Sequence, residues 1–308
     1  MSTATHMSQQ GSHISRIFTI ATHAFTQLAR MKVFYFLAIF AVIAIGSNFF
    51  DLPQHEGPES VGATVLRSIQ SWSLGAMTLF SVVLSIVATA LLLPKDVEDR
   101  TLYTILAKPV PRFDYLAGKL LGVLLLVFVS LAAMDLLMTA VLHIRTSMVI
   151  EQQQQVAQSM GWSQEAMDSL KMETLANGPN WSLQGAVFAV FLRASIMASL
   201  ALLISTFSTS TLFTTIVSFL IYFIGHFQAD ARSVYLHSSE AGEGVFARLA
   251  ALAMSLVLPD FQLFNVIDAV IEGQAMPLIT LGKLTLVGLY YALFFTIASW
   301  FIFSDKEF

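Results

Sequence analysis

The sequence predicts an all-α, polytopic membrane protein, and three observations predict it. Of its 308 residues, 56% are hydrophobic and only 12% are charged, whereas a soluble domain carries about 25% charged residues. A chain so poor in charge cannot coat a water-facing surface. Its apolar residues also gather into stretches near the ~20 residues a helix needs to cross a bilayer. Finally, the basic residues near those stretches fall on alternate sides.

Six stretches are candidate spans: 33–50, 72–93, 120–142, 183–207, 211–227 and 284–303. Four contain no charge, the third contains Asp135 and the fourth contains Arg193. A further apolar run, 245–258, includes Arg248 and stops at Pro259-Asp260. Its length suits a re-entrant or interfacial piece better than a crossing.

Six crossings place both termini on one side. Arg16, Arg30 and Lys32 precede the first span, Lys95, Arg100, Lys108, Arg112 and Lys119 lie between the second and third, and Lys306 follows the last. The opposite loops are longer and sparser in basic residues, so both termini are expected in the cytoplasm. The polar start, 1–11, shows no cleavable signal, and the first span is expected to act as the membrane signal. The organisation expected is a tail and interfacial helix over 1–32 and a six-span domain over 33–308. That domain has an inner loop at 94–119 and outer loops at 51–71, 143–182 and 228–283.

Before the first span, Ile14, Ile17, Phe18, Ala21, Phe25 and Leu28 follow the spacing of one helical face,. Basic residues flank them, so an amphipathic helix along the cytoplasmic membrane surface is expected. The alternative is a helix packed on another part of the protein. In the outer loop 143–181, two short polar helices are expected. Gly161 separates them, Ser163 caps the second, Glu165 suits its first turn and Asn177-Gly178 stops it.

The inner loop is the most informative stretch. It starts after Pro94, and Asp96, Glu98 and Asp99 crowd its beginning, where acids favour a helix N-terminus,. Pro109 and Pro111 stop a short helix at about Ala107, and Pro111 suits the first turn of the next. Leu102, Ile105 and Leu106 are left available to a partner.

The run Glu98-x-Arg-Thr-Leu-x-x-x-Leu-Ala-Lys-Pro-Val-x-Arg112, followed by Leu116-x-Gly-Lys-Leu-Leu-Gly122, resembles the inner loop of membrane subunits in the type-2 permease family of ATP-binding-cassette (ABC) transporters. The stretch 258–266 resembles that family's Pro-containing outer segment, and 303–308 its charged cytoplasmic end. The resemblance implies six spans, an N-terminal interfacial helix and a re-entrant outer element before the last span. It implies that the loop helix docks on a separate ATPase, through Glu98, Arg100, Thr101, Leu102, Leu106, Lys108, Pro109 and Arg112. It also implies a second permease subunit, identical or similar, and export as the direction of transport. The membrane expected is the bacterial cytoplasmic (inner) membrane.

No phosphate loop occurs in the sequence: Gly118-Lys119-Leu120 and Gly282-Lys283-Leu284 lack the preceding glycine and the hydroxyl,. ATP and Mg are therefore expected on a partner chain, with no cofactor and no catalytic residue here. The absence of cysteine excludes disulfides, thiolate chemistry and Cys-based metal sites,. The histidines lack ligand spacing, so no metal site is expected. A net charge of -4 suggests no nucleic-acid partner,.

Asp135 and Arg193 lie at similar depth on consecutive antiparallel spans, which makes an ion pair the expected arrangement. A structural pair is favoured over a substrate contact, because a paired charge offers little to a substrate. Two rival functions are a scaffold that recruits an ATPase without transport, and a small secondary transporter using Asp135 in a proton relay. The second would need inverted repeats, which the sequence does not show.

Overall fold

The computed structural model describes residues 13–47, 61–98, 111–208, 210–237 and 258–305. Every described element is helical. In chain order these are α1 (His13–Ala29), α2 (Lys32–Gly46), α3 (Val61–Glu98), α4 (Arg112–Ser159), α5 (Gln164–Ala176), α6 (Trp181–Phe207), α7 (Thr211–His237), a 3-10 turn (Gln262–Phe264), α8 (Ile267–Ile271) and α9 (Leu278–Asp305).

Five of these helical stretches are long and apolar enough to cross a membrane; they correspond to α3, α4, α6, α7 and α9. The expected first span appears as α2, whose 15 residues reach about 22 Å at 1.5 Å per residue. The last residues of the expected span, 48–50, lie outside the described residues.

α4 departs most from expectation. It has 48 residues, about 72 Å of helix, and it does not stop where the apolar run ends at Leu142. The first of the two expected outer helices is its uninterrupted continuation. No Gly or Pro interrupts 143–159, and Thr146, Val149 and Ala157 are buried there. The chain turns at Gly161, whose φ is +70°, a left-handed conformation that favours glycine. α5 then forms as expected. Ser163 accepts a hydrogen bond from the Ala166 amide at 3.3 Å, and Asn177 ends the helix.

A second departure is at the inner end of α3. This helix runs through Pro94 to Glu98, so Asp96 and Glu98 lie at a helix C-terminus, not at the expected N-terminus. The proline removes one hydrogen bond of the ladder without ending the helix.

Directions follow from neighbours. Gly185 lies against Leu281, and Gly288 against Leu192, so α6 and α9 run parallel. Arg112, at the start of α4, reaches Phe303 near the end of α9. α6 and α7 form an antiparallel hairpin joined at 208–210. One apolar core lies where α1, α3, α4 and α6 meet. A second lies where α3, α6, α9 and the segment around Phe261 and Phe264 meet.

α1 packs on α4. Its buried residues are Ala21, Ala24 and Leu28. Ile14 and Phe18, expected on the same face, are 80% and 59% exposed. The buried stripe is thus rotated from the expected one towards the small residues. The reason is on α4: a Cβ at Gly118 would meet Ile20 at 2.7 Å, and one at Gly122 would meet the Ala21 carbonyl at 2.7 Å. Small residues four apart let two helix backbones approach closely. Because α1 advances with α4, from Asp114 to Gly122, the two helices run parallel.

Candidate functional site

Two clusters of polar side chains stand out, one at the inner ends of the helices and one deep in the bundle.

The inner cluster is built on the first turn of α4. Pro111 occupies the N-cap position with φ -58°, one residue before the expected first turn. Arg112 Nη1 donates to the Phe303 carbonyl at 2.9 Å and also to the Ser304 carbonyl. These are among the last carbonyls of α9, which have no partner within their own helix. Phe113 meets Trp300 edge-on, and Tyr115 stacks on Phe303 with ring centres 6.1 Å apart. Asp114 is buried and receives Arg16 Nε at 3.1 Å and His13 Nδ1 at 3.0 Å, both from α1. The carboxylate also lies in the first turn of α4, where the helix dipole favours it. Lys119, one turn later, is buried with its Nζ 5.7 Å from the Tyr115 ring centre.

This one turn therefore holds α1 through Asp114 and α9 through Arg112, directly after the inner loop. Of the residues expected to dock on an ATPase, Arg112 belongs to it. Glu98 ends α3. Arg100, Thr101, Leu102, Leu106, Lys108 and Pro109 lie outside the described residues. His13 and Asp114 were not singled out by sequence reasoning. The Gly118-x-x-x-Gly122 spacing was the available signal for a packed α1.

The deep cluster surrounds Arg193. The expected ion pair with Asp135 is not formed. Asp135 Oδ1 accepts from Gln184 Nε2 at 3.1 Å, whereas Arg193 Nη2 donates to the Phe261 carbonyl at 3.2 Å. The reason is axial offset. Asp135 is level with Gln184, and Arg193 lies nine residues further along α6, about 14 Å away along the axis. Counting depth from the ends of the apolar runs misplaced them, because with Asp135 level with Gln184 the α4 run ends about 9 Å beyond the start of the α6 run,.

Arg193 is 4% exposed. Tyr222 of α7 is its polar side-chain neighbour, and its Nε has no hydrogen-bond partner. Phe261 is fully buried, and its amide donates to the Gly225 carbonyl at 3.2 Å. Gly225 permits this approach: a Cβ there would meet the Pro259 carbonyl at 2.7 Å and the Phe261 ring at 2.6 Å. Gln262 Nε2 donates to the His226 carbonyl at 2.7 Å, while its amide donates to Asp260. Further along, the Met276 amide donates to Ser182 Oγ at 3.1 Å. The segment thus passes from the level of Arg193 to that of Ser182, eleven residues or about 16 Å along α6. Among the described residues, no group of His, Asp and Glu is placed to hold a metal ion.

Several long apolar helices, packed through small residues and crossed by few charges, define a polytopic α-helical membrane protein. Residues 15–231 match the family model described as ABC-2 family transporter protein, and the chain belongs to that family. It is thus a membrane transport subunit of the ABC class, a family that partners with an ABC ATPase subunit. The comparison with curated proteins gives no match.

Proposed function

We propose that this chain is the permease subunit of an exporter, driven by ATP and Mg bound on a separate ATPase chain. The observation that carries this reading is the first turn of α4. It follows the inner loop directly and is tied to both α1 and α9, so a force on the loop reaches three helices at once. Docking by 98–112, with Leu102 and Leu106 filling a groove on the partner, is the coupling step. Burying two leucines contributes roughly 3–5 kcal/mol before association costs.

Six crossings, with α2 as the first and both termini in the cytoplasm of a bacterial inner membrane, fit this arrangement. The starts of α1 and α4 and the end of α9 gather at one end of the bundle. Ile14 and Phe18, exposed beside Arg16, suit an interfacial position for the outer side of α1. The run 245–258, expected as the re-entrant outer element, lies outside the described residues but for Leu258, and the passage of about 16 Å from Phe261 to Met276 that follows it supports that reading,. Two such subunits, identical or similar, pair with two ATPases.

The test is a double change, Leu102→Ser with Leu106→Ser. It is expected to abolish co-purification of the ATPase while insertion stays normal. Retained co-purification and transport would reduce the loop to an orientation signal. Topology is checked separately. The chain has no cysteine, so a Cys at Ser163 is expected to react with an impermeant thiol reagent in intact cells, and one at Ser304 is not.

A further inference from the structure

We propose that Arg193 is an anion-binding residue, and that the cargo of this permease carries a negatively charged group, phosphate or carboxylate, which takes the place of the Phe261 carbonyl on the guanidinium.

The argument starts from what Arg193 lacks. A guanidinium inside a membrane bundle is costly and persists where it meets an acid, backbone carbonyls, a wet cavity or a ligand. Arg193 is buried twelve residues into α6, about 18 Å from its start,. Its partners are neutral: one backbone carbonyl and the Tyr222 side chain. The acid expected to compensate it, Asp135, is engaged by Gln184 on another turn. Nε is buried and makes no hydrogen bond. A planar fork with an unfilled donor is the geometry that accepts a carboxylate or phosphate through two parallel bonds.

The surroundings fit an occupant with an apolar body. Phe261, Phe264, Tyr291, Leu192 and Ile196 belong to the core cluster around this position. The carbonyl now on Arg193 belongs to a short segment between helices, where it also accepts from the Phe264 amide at 3.2 Å in the 3-10 turn. Its bonds to the helices include Phe261 to Gly225, Gln262 to His226 and a long one, 3.4 Å, from the Tyr291 hydroxyl to the Leu258 carbonyl, and the buried Phe261 ring packs on Tyr222 and His226. Withdrawing this segment would uncover the guanidinium at the cost of exposing Phe261 and Phe264, and would leave the ladders of α6 and α7 intact. In the closed arrangement the Phe261 carbonyl solvates the charge; with cargo present, the anion does.

This inference rests on the permease reading, but its test needs no ATPase. Thermal unfolding of the full-length chain is followed in a neutral detergent with four probes: dodecyl phosphate, dodecyltrimethylammonium, dodecyl glycerol and inorganic phosphate. Dodecyl phosphate is expected to raise Tm more than the cationic or neutral chain of equal length. Arg193→Gln is expected to abolish that difference. Arg193→Lys keeps the charge without the fork and is expected to weaken the apparent affinity about tenfold. Asp135→Asn is expected to leave it unchanged. A shift with inorganic phosphate alone would mark a polar anion as cargo; a shift confined to dodecyl phosphate would mark an anionic amphiphile. Equal shifts from all three dodecyl probes would overturn the proposal. So would an anion response unchanged in Arg193→Gln or, should that variant not fold, in Arg193→Lys; Arg193 would then only seat the Phe261 segment. Failure of any ATPase to co-purify would count against the permease reading and leave this binding result standing.

Discussion

α6 and α7 are two halves of one hairpin, both apolar, yet the bundle treats them in opposite ways. Of the most apolar eighteen residues in each helix, 83% are buried in α6 and 17% in α7. Small residues make the difference. α6 carries Gly185, Ala186, Ala189, Ala194, Ala198, Ser199 and Ala201, all buried on several sides of the helix. Neighbouring helices can close on such a surface from every direction. α7 has one small-residue stripe, Thr214, Ser218 and Gly225, and it turns Leu212, Phe213, Ile216, Leu220, Phe223, Ile224 and Phe227 outwards. Lipid is as apolar as leucine, so large side chains gain little by leaving it. In a bilayer burial follows close packing, and apolarity by itself does not predict it.

The strongest way to break this comparison is at the stripe of α7. Gly225→Leu would drive a side chain into the Pro259 carbonyl and the Phe261 ring. Backbone cannot give way cheaply, so a cost of about 3 kcal/mol or more is expected. Gly75 of α3 has open space around it, and Gly75→Leu is expected to leave folded yield and Tm nearly unchanged. Similar losses in both variants would mean that close approach is not what seats the segment.

The next effect belongs to the inner cluster. Asp114→Asn leaves Arg16 facing a neutral group inside a packed contact, and a loss of about 2 kcal/mol is expected. Arg16→Gln costs a similar amount, because it leaves the buried Asp114 carboxylate only His13 and the helix dipole,. In a double-mutant cycle the pair should couple by about 1 kcal/mol or more. Purely additive losses would show that α1 is held by the glycine contacts alone.

Arg112→Gln is expected to cost about 1 kcal/mol, since it removes hydrogen bonds to the end of α9. Its more telling readout is local: hydrogen exchange should rise in the last turn of α9 and not in α6. A uniform rise would point to general destabilisation. The smallest change is expected on the outer face of α7, where Leu220→Ala should stay within about 0.5 kcal/mol. A loss above about 1 kcal/mol there would mean that a second chain, not lipid, covers the face.

Much of the fold was legible in the sequence because its signals are local. Apolar run length located α3, α4, α6, α7 and α9. Ser163, Gly161 and Asn177 marked the boundaries of α5 because caps and turns act within a few residues. The inner-loop pattern pointed to the family to which residues 15–231 belong. The polar clusters were less legible. Asp114 reads as an ordinary acid in a first turn until α1 is laid against α4. The glycines that bring α1 there look like part of an apolar span.

The sequence by itself determined that the chain is helical, that it is built for lipid, and where most helices begin. It also marked Asp135 and Arg193 as charges out of place. Only the tertiary structure decided what those charges meet. Whether two residues on neighbouring helices pair depends on how far one helix is slid along the other. That offset is set by how the faces of α4 and α6 pack, and not by where their apolar runs end. An error of a few residues in a helix end moves a side chain by several ångströms along the axis, more than a hydrogen bond can span. Asp135 therefore found Gln184, and Arg193 was left to the Phe261 carbonyl.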